Sequence, residues 1–178
     1  MHRRIAHMAA EALIPTSPDE AAKLFGEAGD VVVFGGGTIL LPEIASGRLR
    51  PTRALMLHRS GLDSLETKSD VVRIGSMTTI AALIDGTDDL LTRFAEHVAD
   101  GEVRRNATVG GNLCASPGIG SQRGDLGAPL IALGARVRST GAGGARTETV
   151  EDFLAGDRRP GSCSRSSTTV RPARPPRR

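Results

Sequence analysis

The chain of 178 residues contains no Trp, no Tyr and only four Phe, so its core has to be assembled from Ala, Val, Leu and Ile. It has two cysteines, Cys114 and Cys163, with no C-x-x-C pair, which excludes a self-contained four-cysteine zinc or iron–sulfur site. No disulfide is expected between them in a reducing cytoplasm, and a small buried thiol is the expectation for Cys114. No apolar run approaches the ~20 residues that a membrane-spanning helix needs. The opening residues, M-H-R-R-I-A-H-M-A-A, lack the apolar stretch of a secretory signal. The expectation is a cytoplasmic protein without membrane contact. Neither G-K-[ST] nor G-x-G-x-x-G occurs, so the chain carries neither a P-loop nor the dinucleotide fingerprint.

The excess of positive charge is confined to one end. Net charge is +3, yet residues 1–156 hold 16 Lys and Arg against 19 Asp and Glu. All the surplus sits in residues 157–178, with seven Arg against Asp157 alone. The body is therefore mildly acidic, and nucleic acid is not an expected partner. Apolar content of 39% with 24% charged residues suits one globular domain, or one made of two small lobes.

What the chain has in plenty is glycine, and two glycine segments stand out. Val31–Phe34 is a short β-branched run followed by Gly35-Gly36-Gly37-Thr38 and then Ile39-Leu40-Leu41, a strand, a turn and a helix start. The second segment follows what reads as a short extended run and is expected to turn at its adjacent glycines: R-R-N-A-T-V-G-G-N-L-C-A-S-P-G-I-G-S-Q-R-G-D, from Arg104 to Asp125. Glycines let backbone N–H groups turn inward in a row, and such a row holds a phosphate or pyrophosphate. A helix start adds its own unsatisfied N–H groups. Two such segments suggest a diphosphate held from two sides.

Around them the pattern reads as alternating small elements. Residues 1–14 form an Ala-rich lead. Ser17 caps a helix with Pro18 at its first position and Glu20 closing a capping box, and Gly29 ends it. Arg53–Leu57 is a second strand, parallel to Val31–Phe34 because a helix lies between them. His58, at its end, could approach a ligand but reads first as a surface or structural residue. Val71–Gly75 is a strand, Thr78 or Thr79 caps a helix carrying Ile80, Leu83 and Ile84, and another helix spans about 88–98. Leu126–Leu133 is a short helix. Ala135–Ser139 and Arg146–Thr149 pair across Gly141-Ala142-Gly143-Gly144, and Glu151–Leu154 makes a last helical turn.

Four of these segments, in this order, resemble the FAD-binding subunit of the molybdenum hydroxylases, the group of xanthine, carbon monoxide and aldehyde dehydrogenases. They are Gly35 to Pro42 (G-G-G-T-I-L-L-P), Arg105 to Leu113 (R-N-A-T-V-G-G-N-L), Asp125 in G-D-L-G-A-P-L-I-A-L-G-A, and Val150 to Gly156. A fifth, Ile74 to Thr79 (I-G-S-M-T-T), resembles a segment that crosses between lobes near the flavin, where the family has Ala at the place of Ser76. The resemblance implies an α+β fold of the vanillyl-alcohol-oxidase/PCMH-like type, in two lobes. A small β-α-β lobe would occupy about 1–58, and a larger mixed or antiparallel lobe with helices about 70–156.

It also implies a cofactor, FAD, and a set of contacts. Gly35, Gly36, Gly37, Thr38, Ile39 and Leu40 would take the pyrophosphate through the backbone and the Thr38 hydroxyl. Thr108, Gly110, Gly111 and Asn112 would hold the ribityl and flavin end, and Asp125 a ribose hydroxyl. No catalytic acid, base, nucleophile or metal ligand is implied. The expected partners are a molybdopterin-binding large subunit and an iron–sulfur small subunit, with NAD or another molecule as electron acceptor.

Beyond Gly156 the text turns Arg-, Pro- and Ser-rich, which predicts disorder for 157–178. The family continues here into a further domain. A frameshift or truncation is therefore the expected origin of this tail. Three readings of function follow: a FAD-carrying electron-transfer subunit, a non-catalytic remnant that binds flavin weakly or not at all, and a nucleotide-binding interaction module docking through the basic tail.

Overall fold

The computed structural model describes residues 11–27, 29–68, 71–86, 90–115, 125–141 and 144–156. The expectations for 1–10 and 157–178, and for the first residues of the helix at about 88–98, lie outside those residues.

The first part is a three-stranded parallel sheet. Strand β1 (Glu11–Leu13) precedes helix α1 (Pro18–Glu27), strand β2 (Val32–Phe34), helix α2 (Leu40–Ala45) and strand β3 (Arg53–Met56), in the spatial order β1-β3-β2. The register sets Ala12 and Val32 on either side of Ala54, and Leu13 and Val33 on either side of Leu55. Ala21, Val31, Leu55 and Leu57 form a small core, and Leu13, Leu24, Phe25 and Met77 pack on it. The helix start is as expected: the Ser17 hydroxyl accepts from the Glu20 N–H at 3.1 Å. Glu20 returns the bond one residue earlier, accepting from the Thr16 N–H at 2.7 Å and hydroxyl at 2.8 Å. Gly29 follows with φ 65°. His58 sits exposed in a single 3₁₀ turn, Leu57–Arg59.

The second part is a hairpin, a group of short helices and another hairpin. Strands β4 (Leu65–Lys68) and β5 (Val71–Ile74) pair antiparallel, Leu65 opposite Ile74. Helices α3 (Ile80–Gly86), α4 (Leu90–Ala95), α5 (Gly101–Asn106), α6 (Val109–Leu113) and α7 (Gly127–Ala132) follow. Strands β6 (Arg136–Gly141) and β7 (Gly144–Thr149) then pair antiparallel before helix α8 (Val150–Ala155). Ile74, Ile80, Leu83, Leu113, Leu126, Leu130, Val137 and Phe153 belong to one apolar, mostly aliphatic core. With so few aromatic rings to fill it, that core draws on many short elements.

Four features differ from expectation. Helix α6 stands where a glycine turn is expected. Residues 11–13 are a strand rather than a lead, because parallel pairing with β3 satisfies their backbone groups. The run before the second glycine pair is helix α5, not extended, since the Asp100 side chain caps it by accepting from the Val103 N–H at 2.8 Å. Cys114 is half-buried and disulfide-bonded rather than a free buried thiol, with its partner outside the described residues. Sequence spacing alone does not decide whether a cysteine is paired. Among the described residues, no helix is long and apolar enough to cross a membrane.

Candidate functional site

The two glycine segments, about 70 positions apart in the chain, lie against each other. A Cβ on Gly36 would overlap the Asn106 carbonyl oxygen and stand 2.6 Å from its carbon and 3.1 Å from the Ala107 Cα. One on Gly35 would stand 2.7 Å from the Thr108 Oγ1. The loop after β2 is therefore seated directly on the α5–α6 junction, an approach that only a residue without a side chain permits at position 36. Gly37 is in the left-handed region, at φ 73°, and its carbonyl receives the Leu41 N–H at 2.9 Å.

Between these points the loop leaves its donors free. Among the described residues, the N–H groups of Gly36, Gly37, Thr38, Ile39 and Leu40 donate to no protein acceptor, and the Thr38 hydroxyl has no partner. The Ile39 side chain caps nothing, so the start of α2 keeps its orphan donors. All five residues are half-buried. Five consecutive amide donors and one hydroxyl form a donor set suited to a phosphate or pyrophosphate.

One acid stands close by in sequence, and it is tied away. Glu43, in the first turn of α2, accepts from Arg48 Nε at 2.7 Å and Nη2 at 2.9 Å. Those hydrogen bonds hold the Glu43 carboxyl below its ordinary value of 4.5 and raise Arg48 above its own. At neutral pH the acid is ionised and its charge is matched by Arg48.

The second segment differs in kind. It is helix α6, with Thr108 as its cap, the Thr108 hydroxyl accepting from the Gly111 N–H at 3.1 Å. Its donors are spent inside the chain. The Val109 N–H goes to the Thr78 carbonyl at 2.9 Å, Gly110 to Ser76 at 2.8 Å, and Asn112 to Thr108 at 2.8 Å. A Cβ on Gly110 would stand 2.8 Å from both the Ser76 Cβ and carbonyl oxygen. Thr79 and Thr108 form an antiparallel bridge, and the Ala107 carbonyl receives the Ile80 N–H at 2.9 Å. The second glycine pair thus serves close packing and offers no row of free N–H groups.

Asn112 and Asp125 come together as well. The buried Asn112 side chain accepts from the Leu126 N–H at 2.9 Å and donates to Asp125 Oδ2 at 3.4 Å, while Asp125 itself is exposed. Sequence reasoning missed the seat under Gly36, formed by Asn106 and Ala107. It also missed that the Ser76 hydroxyl is buried with no hydrogen-bond partner. A contact between loops this far apart leaves no local signal, although Ser at a place where the resembled family has Ala was a visible one.

A family model described as the FAD binding domain in molybdopterin dehydrogenase matches residues 8–167. The chain is 28% identical over 148 residues to the nicotine 6-hydroxylase medium subunit of Paenarthrobacter nicotinovorans, covering 80% of this chain and 51% of that one. It is 29% identical over 149 residues to the carbon monoxide dehydrogenase medium chain of Hydrogenophaga pseudoflava, covering 80% and 50%. A solved structure of carbon monoxide dehydrogenase from the same organism, lacking the Mo-pyranopterin moiety of its molybdenum cofactor, superposes with a TM-score of 0.78 at 27% identity. That superposition covers 94% of this chain and 60% of the other. The chain spans about half the length of the curated relatives it matches.

Proposed function

The chain belongs to the family of FAD-binding domains of molybdopterin dehydrogenases, and we propose that it holds FAD by the pyrophosphate at the loop between β2 and α2. The observation that carries this reading is the unbroken series of unpaired N–H donors from Gly36 to Leu40, with the unpartnered Thr38 hydroxyl among them. Gly35, whose N–H also follows β2, belongs to the same turn. Two phosphate charges satisfy such donors without any lysine or arginine in the loop.

The α5–α6 junction seats this loop, with Asn106 and Ala107 under Gly36 and the Thr108 hydroxyl beside Gly35. Thr108, Gly110, Gly111 and Asn112, which follow that junction, would take the ribityl and flavin end, passing over the exposed Gly111. Asp125 would receive ribose hydroxyls through its exposed carboxylate. When bound, FAD supplies stepwise electron transfer, while the protein binds, orients and excludes water. None of its own side chains is assigned an acid, base or nucleophilic role.

In this reading the protein is the flavin-carrying part of an oxidoreductase. It receives electrons from iron–sulfur clusters on a small subunit, fed by a molybdopterin-binding large subunit, and delivers them to NAD or another acceptor. The nicotine and carbon monoxide relatives are named for unlike molecules, so the substrate belongs to the complex and not to this fold.

The test is a titration of FAD into the purified chain, followed by quenching of flavin fluorescence, beside Gly37→Val. A β-branched side chain at φ 73° is strained and would redirect the loop. Saturable quenching by the unsubstituted chain and a loss of at least tenfold in affinity in the variant are expected. A folded chain that does not quench would favour a remnant without flavin.

A further inference from the structure

We propose that Asn112 is a positioning residue that fixes the Asp125 carboxylate. The inference rests on the reading that Asp125 meets a ribose hydroxyl.

The Asn112 side chain is buried, at 8% exposure, whereas Asp125 is exposed. A backbone N–H can only donate, so the atom taking the Leu126 N–H at 2.9 Å has to be the amide oxygen. That bond fixes the orientation of the whole amide plane. Its nitrogen is left facing Asp125 Oδ2, at 3.4 Å. Leu126 is the cap residue of α7 and supplies no side-chain cap of its own, so Asn112 stands in for one there. One buried amide thus ties the rigid α6 to the residue pair that opens α7. The carboxylate keeps its second oxygen and remaining lone pairs for a ligand, because no other described side chain bonds to it.

Asn112→Asp separates the two bonds. It is isosteric, retains an oxygen for the Leu126 N–H, and sets a carboxylate against Asp125, where like charges repel. FAD affinity is measured by fluorescence quenching in the unsubstituted chain, Asn112→Asp, Asp125→Ala and the double variant, with each unfolding midpoint recorded. About tenfold weaker binding is expected in either single variant, with no further loss when Asn112→Asp is added to Asp125→Ala. If Asn112→Asp unfolds early, adding Asp125→Asn is expected to restore the midpoint, since the donor and acceptor are then exchanged.

An Asn112→Asp penalty that adds in full to that of Asp125→Ala would overturn the proposal, and so would unchanged affinity or failure of the exchanged pair to restore folding. Absence of saturable binding by the folded, unsubstituted chain would instead overturn the FAD reading itself, and the positioning role with it.

Discussion

Gly36→Ala is expected to destabilise the fold by about 3 kcal/mol and to abolish FAD binding. The added methyl would overlap the Asn106 carbonyl oxygen, a backbone atom that cannot rotate out of the way. Asn106 is the last residue of α5, and Ala107 beside it sends its carbonyl to the Ile80 N–H at 2.9 Å, so the obstacle is braced from behind. The loop would have to lift off the α5–α6 junction, taking the free donors of Gly36 to Leu40 with it. For a chain of this size the loss corresponds to roughly 6–12 °C in unfolding temperature. Gly26→Ala is the matching contrast, because it lies on the exposed side of α1 with nothing within 4 Å. There, alanine is expected to stabilise by up to about 1 kcal/mol. Thermal unfolding of both variants checks the account. A Gly36→Ala chain within half a degree of the unsubstituted one would show that the two glycine segments are not in contact.

Gly110→Ala is expected to cost about 2–3 kcal/mol, for a related reason. Its methyl would meet the Ser76 Cβ and the Ser76 carbonyl oxygen, each at 2.8 Å, while the Gly110 N–H is bonded to that same oxygen. Moving α6 outward breaks the bond and leaves the partly covered N–H and carbonyl without each other. Trimming the neighbour does not help, because Ser76→Gly removes the Cβ and leaves the carbonyl in place. Denaturant unfolding of Gly110→Ala, with and without Ser76→Gly, measures this. Full recovery in the double variant would locate the conflict in the side chain and contradict the backbone packing described above.

The sequence showed elements governed by local chemistry and hid those governed by distant contacts. Ser17, Pro18 and Glu20 announced α1, Gly29 its end, and Thr79 caps α3 by accepting from the Ala82 N–H at 3.1 Å. The loop after β2 was legible because a β-branched run, three glycines and an apolar helix are neighbours in sequence. Strand β1 was not, since Glu11-Ala12-Leu13 has no strand signature and depends on pairing with residues 53–55.

Helix α6 was misread as a turn because adjacent glycines disfavour helix by about 1 kcal/mol each. The Thr108 cap and the packing of Gly110 on Ser76 outweigh that preference. The Asp100 cap of α5 was present in the sequence, but Gly101 directly after it concealed the helix start. At the candidate site, the residue types were readable while their division of labour was not. Gly36 to Leu40 keep their donors, and Val109 to Asn112 spend theirs within the chain.

That division is the central claim, and amide-resolved NMR of the ¹⁵N-labelled chain during FAD addition tests it most directly. The N–H signals of Gly36, Gly37, Thr38, Ile39 and Leu40 are expected to shift downfield and gain protection from solvent exchange, as free donors acquire phosphate acceptors. Those of Val109, Gly110 and Asn112, already bonded to Thr78, Ser76 and Thr108, are expected to gain no new protection from exchange. Large shifts and new protection at 109–112, with residues 36–40 unchanged, would contradict the account and move the phosphate site to the second segment.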